Sequence, residues 1–93
     1  DYLRQGVYNI ESAYSSIQQQ KDLVVQQRQK ASAEYNSYQN LVKTYSPLIA
    51  QGGPMAPIYQ QQLNDTYSTY TTTVSSAYLP SLNTLSLYQQ NLD

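Results

Sequence analysis

LRQGVYNIESAYSSIQQQKDLVVQQRQKASAEYNSYQNLVKTY, residues 3–45, decides the fold. Apolar side chains recur at Leu3, Val7, Ile10, Tyr14, Ile17, Val24, Ala31, Tyr35, Tyr38, Val42 and Tyr45. Lys21 and Arg28 fill the two remaining slots, so the spacing alternates between 4 and 3 without a slip. This repeat places Leu3, Ile10, Ile17, Val24, Ala31, Tyr38 and Tyr45 at d, and Val7, Tyr14, Lys21, Arg28, Tyr35 and Val42 at a. A sustained repeat of 3.5 residues is the mark of a helix lying along a helical partner. No Gly or Pro interrupts the stretch from Val7 to Tyr45, which predicts a helix over about 2–45, on the order of 65 Å long.

Downstream, Ser46-Pro47 offers an N-cap followed by Pro at a first helical position, and Gly52 a glycine terminator. Residues 46–56 therefore read as a turn, centred on Gly52-Gly53-Pro54 with Pro57 just beyond it. A second helix is expected over about 57–92. Its seam runs through Leu63, Tyr67, Tyr70, Val74 and Ala77, and the apolar phase then moves by one residue to Tyr78, Leu82 and Leu85. Pro80 sits at that shift, which predicts either a kinked helix or two helices divided near Leu79-Pro80. Two arms joined by a short Gly/Pro turn make an all-α antiparallel hairpin, a single domain. Two helices alone leave much of each seam in water, so self-association into a helical bundle or a larger array is the expected remedy. Core and interface positions are then Ile10, Tyr14, Ile17, Val24, Tyr35, Tyr38, Val42, Leu63, Tyr67, Tyr70 and Val74.

The residue inventory argues against chemistry. The chain has no Cys and no His, and its six carboxylates include no two spaced to share one face of a helical turn. No triad or metal shell can be assembled from such a set, and Gly52-Gly53 is not followed by the Lys-Ser/Thr of a phosphate loop. The expectation is a non-enzymatic protein without cofactor or metal. No apolar run approaches the ~18 residues of a membrane span. Lys21 and Arg28, seven residues apart, either form a strip for an acidic partner or extend past the seam with their stems packed; Asp22 and Glu34 are acids near enough to pair with them. A ladder of tyrosines could stack nucleic-acid bases. However, net charge is −1 and no Lys or Arg follows residue 53, so nucleic acid is not an expected partner at neutral pH. Core and interface packing accounts better for the rings, with Gln and Ser available to their hydroxyls.

Composition suggests a setting. All eleven aromatic residues are Tyr, and Gln, Ser, Thr and Asn together supply 38 of 93 residues. Charged residues are 12%, about half the usual share. A fold held by Tyr, Gln, Ser and aliphatic packing loses little when carboxylates protonate, whereas one held by salt bridges comes apart. A Tyr/Gln/Ser/Thr/Asn-rich helical chain free of Cys and His resembles the small helical coat proteins of acidophilic archaeal viruses of the spindle-shaped or two-tailed type. That resemblance, which covers composition and no motif, implies a structural role in a virion, with the chain itself and other virion or surface proteins as partners. Two alternatives share the architecture: the helical hairpins exported by type VII secretion, and a coiled-coil stalk of a cell-surface layer. The first agrees in length and in its Gly turn, but lacks the Trp-x-Gly signature and has Leu92 where the tail signal would place an acid.

Overall fold

The computed structural model describes residues 2–92. One helix, α1, runs without interruption over Tyr2–Ala50. The return arm consists of α2 (Ala56–Thr73), a π-helical turn (Val74–Tyr78) and α3 (Leu79–Leu92), with no strand among the described residues. The pairings Gln20 with Ser81, Tyr35 with Tyr70, Tyr38 with Tyr67 and Tyr45 with Tyr59 descend one arm as they climb the other. The arms are therefore antiparallel, and the chain is a rod of 76 × 16 × 15 Å.

The expected end of the first helix at Tyr45 is corrected by the structure. Pro47 lies inside α1, and the helix continues past it for one further turn. Proline costs one backbone bond and some crowding. Against that, the extra turn carries Leu48 and Ile49 into half-buried positions over the hairpin end. Ser46 is thus a helical residue, not a cap. The helix closes where Gly52 takes φ +76° and donates its N–H to Ile49 O at 3.0 Å, a conformation that a residue with a Cβ adopts only under strain. Gly53, at φ +91°, completes the reversal, and Pro57 sits in the first turn of α2.

At Pro80 the second arm neither splits nor breaks. The one-residue shift of the apolar phase is absorbed by the π-helical turn, in which Leu79 N–H donates to Val74 O, five residues back. A π turn holds one residue more than an α turn, so it rotates everything beyond it by one position. Without that rotation Pro80 would follow Thr66 and Thr73 into the seam. With it Pro80 is exposed and Ser81 is buried, so the ring and its missing N–H face water.

The core is thin. Among the described residues Ile17, Val24, Ala31 and Leu63 are buried and apolar, joined by Gln20, Thr73 and Ser81, and no side chain is less than 2% exposed. Gln20 Nε2 donates to Ser81 O at 2.8 Å, which satisfies the buried amide across the arms.

Candidate interaction faces

Rows of side chains along each arm show what the hairpin presents. On α1 the d row points at the other arm: Ile17, Val24 and Ala31 are buried, and Tyr38 and Tyr45 half-buried. The second inward row is not the a row. It is Ala13, Gln20, Gln27, Glu34, Leu41 and Leu48, each buried or half-buried and each three residues after a d position. On the return arm the row of Leu63, Tyr70 and Ala77 is inward, and its companion is Tyr59, Thr66 and Thr73, one residue before the expected Tyr67 and Val74 row. In both arms one row was legible, and the other falls on the opposite flank.

The rows expected at a consequently line one side of the two-helix layer. Tyr14 is 61% exposed and Ile10 55%, so neither belongs to the core within one hairpin. Lys21 and Arg28 are exposed, Val42 and Val74 half-buried. Glu34 stands on the opposite flank from Arg28 and so does not pair with it, and Asp22 accepts a hydrogen bond from Gln18 Nε2 at 3.4 Å. The a-row side carries the aromatic centre of the molecule. Ring centroids of Tyr35 and Tyr70 lie 5.0 Å apart and those of Tyr38 and Tyr67 5.1 Å. Tyr35–Tyr38 at 6.3 Å and Tyr67–Tyr70 at 6.0 Å close a square of four tilted rings, all within the range where aromatic pairs attract beyond area burial. Tyr35 Oη accepts from Gln39 Nε2 at 2.7 Å. Beside this square is a groove of about 300 Å³ lined by Arg28, Ala31, Ser32, Tyr35, Tyr70, Val74 and Tyr78.

The opposite side is polar. There a groove of about 260 Å³ is lined by Glu34, Ser37, Asp65, Thr66 and Thr69. Gln27 and Glu34 each bury an Oε1 atom that has no hydrogen-bond partner, a costly state for any acceptor. Periodicity of apolar residues could not have found these positions, because the middle of the row, Gln20, Gln27 and Glu34, is polar between Ala13 and Leu41. The signal available was the spacing of Gln20, Gln27 and Glu34 by sevens. The hairpin is therefore two-faced, aromatic and basic on one side, polar and acidic on the other.

Among the described residues no group of three or more His, Cys, Asp or Glu could hold a metal ion, and no helix is long and apolar enough to cross a membrane. No family model, curated protein or solved structure matches the chain.

Proposed function

We propose that this chain is a structural, non-enzymatic component that packs side by side into a larger assembly, in the manner of a virion coat protein exposed to acid. The observation that carries this reading is the two-faced rod. It is 76 Å long and only 16 × 15 Å across, with a thin core and large half-exposed rings along one flank. A helix pair that buries so little of its own surface gains from neighbours on both sides. Among the described residues the arms meet through tyrosine rings, buried aliphatic side chains and one amide-to-carbonyl hydrogen bond. None is an ion pair, which supports a setting where carboxylates are protonated. Composition adds to that support and favours a virion or cell surface as the place.

Sedimentation velocity over a wide concentration range at pH 2 and pH 7, with electron microscopy of the densest samples, tests the proposal. Mass should rise well above the 10.6 kDa of one chain and ordered particles or rows should appear. A species that stays monomeric at every concentration and both pH values removes the reading.

A further inference from the structure

Two pairs of residues on opposite sides of the hairpin share one spacing. Lys21 and Arg28 are exposed cations on the aromatic side, seven residues apart, about 10.5 Å along the helix. Gln27 and Glu34 are the two side chains whose Oε1 atoms are buried without a hydrogen-bond partner. They too are seven residues apart, on the polar side. A shift of six residues, about 9 Å, carries the first pair onto the second.

We propose that the aromatic face of one copy docks on the polar face of the next, with Arg28 reaching Glu34 and Lys21 reaching Gln27. The idea rests on the assembly reading above and names its contact. Its occupant is a second copy of this chain, chosen by charge and by unmet hydrogen bonds. The groove beside Glu34 also holds Asp65 and no cation among its lining residues, whereas Arg28 is the one charged residue lining the tyrosine groove. Lys30, one turn before Glu34, is exposed and leaves Glu34 Oε1 unpartnered. An arginine from a neighbour offers donors to both Glu34 and Asp65, and the ammonium of Lys21 offers three to the amide oxygen of Gln27. Because both oxygens are buried in the single hairpin, docking requires the side chains of Gln27 and Glu34 to turn them towards the incoming copy. The half-buried rings of Tyr70 and Tyr78 and the exposed edge of Tyr35 are covered in the same step.

Such a contact joins two different surfaces, so each copy keeps one free face of each kind. The contact does not close on itself and repeats into an open row of staggered rods. That is the geometry a sheath or coat requires, and a self-complementary dimer would not supply it.

Charge reversal at pH 7 tests the pairing; in acid Arg28 still donates to the carbonyl oxygen of a protonated carboxyl group, so the contact does not depend on the charge alone. Arg28→Glu sets Glu against Glu34, and Glu34→Arg sets Arg against Arg28, so each variant alone should assemble at concentrations at least about tenfold above wild type. An equimolar mixture should recover, because each variant's altered face then meets an opposite charge. The double variant R28E/E34R should recover by itself. Circular dichroism establishes that each is folded. Should Glu34→Arg fail to fold, Arg28→Glu added in small amounts to wild type serves instead. It keeps a working polar face and has lost the other, so it should cap growing rows and shorten them. If Arg28→Glu assembles like wild type, or the mixture shows no recovery and the small addition no shortening, this contact is wrong while self-association stands. A wild type that never associates overturns both.

Discussion

Leu63→Ala measures how closed the core of a single hairpin is. Leu63 is 7% exposed, the only buried apolar residue of the second arm among those described. Removing three carbons at about 0.8 kcal/mol per buried methylene costs about 2.4 kcal/mol. In a large globular core a cavity term would raise this towards about 5 kcal/mol. Here no described side chain is less than 2% exposed, so the space left behind opens to water and neighbouring side chains settle into it. The expected loss is therefore about 2 kcal/mol, near the transfer value alone. Urea unfolding followed by circular dichroism at 222 nm, on samples dilute enough to be monomeric, gives the number. Ile58→Ala is the control, since Ile58 is 47% exposed and should lose less than about 1 kcal/mol. A loss above about 4 kcal/mol at Leu63 would show a closed core that the hairpin does not contain. A loss no larger than at Ile58 would mean that Leu63 is not in the seam.

Pro80→Ala should raise stability by no more than about 1 kcal/mol, well short of the ~3 kcal/mol that proline costs inside an ordinary helix, because the π turn already turns the ring to solvent; a gain near 3 kcal/mol in the same urea assay would mean that the proline is strained where it stands. Gln20→Met should stay within about 1 kcal/mol of wild type, since its chain refills the seam, while Gln20→Ala should lose about 2 kcal/mol through both packing and the 2.8 Å bond to Ser81 O. Equal losses for the two variants would remove Gln20 from the core. Asp65→Asn should be silent within about 0.5 kcal/mol, because the exposed carboxylate accepts one bond, from Gln61 Nε2 at 2.8 Å, which an amide oxygen also accepts. A larger change in thermal midpoint would show that the charge is coupled to Glu34 across the polar groove.

Helical class, the antiparallel arrangement and one inward row per arm were all legible, because Ile17, Val24, Ala31, Leu63 and Tyr70 recur at helical spacing. The second row was not. Apolar scoring places Tyr14, Tyr35, Tyr67 and Val74 inside, whereas a helix with a single partner can turn either flank towards it. The structure turns in Ala13, Thr66, Thr73 and Ser81, whose small side chains let the backbones approach, and the tyrosines take the rim where their hydroxyls stay near water. Pro47 misled for a related reason. A proline reads as a stop, but the cost of one missing hydrogen bond is weighed against the packing of Leu48 and Ile49, and packing cannot be read from a single residue. The one-residue phase slip near Pro80 was visible. Its form, a π turn that carries the helix through without a break, depended on where the proline ring would otherwise point. Gln27 and Glu34, in the polar middle of the second inward row of α1, carried no apolar signal.

Small-angle X-ray scattering at pH 2, as a concentration series, tests most directly whether this chain is an acid-tolerant rod built to pack with its own kind. At high dilution the radius of gyration should sit near the 21.2 Å of the hairpin, and it should grow steadily as concentration rises. A value near the ~30 Å of an unfolded chain of this length, or one that stays at the hairpin value at every concentration, would contradict it.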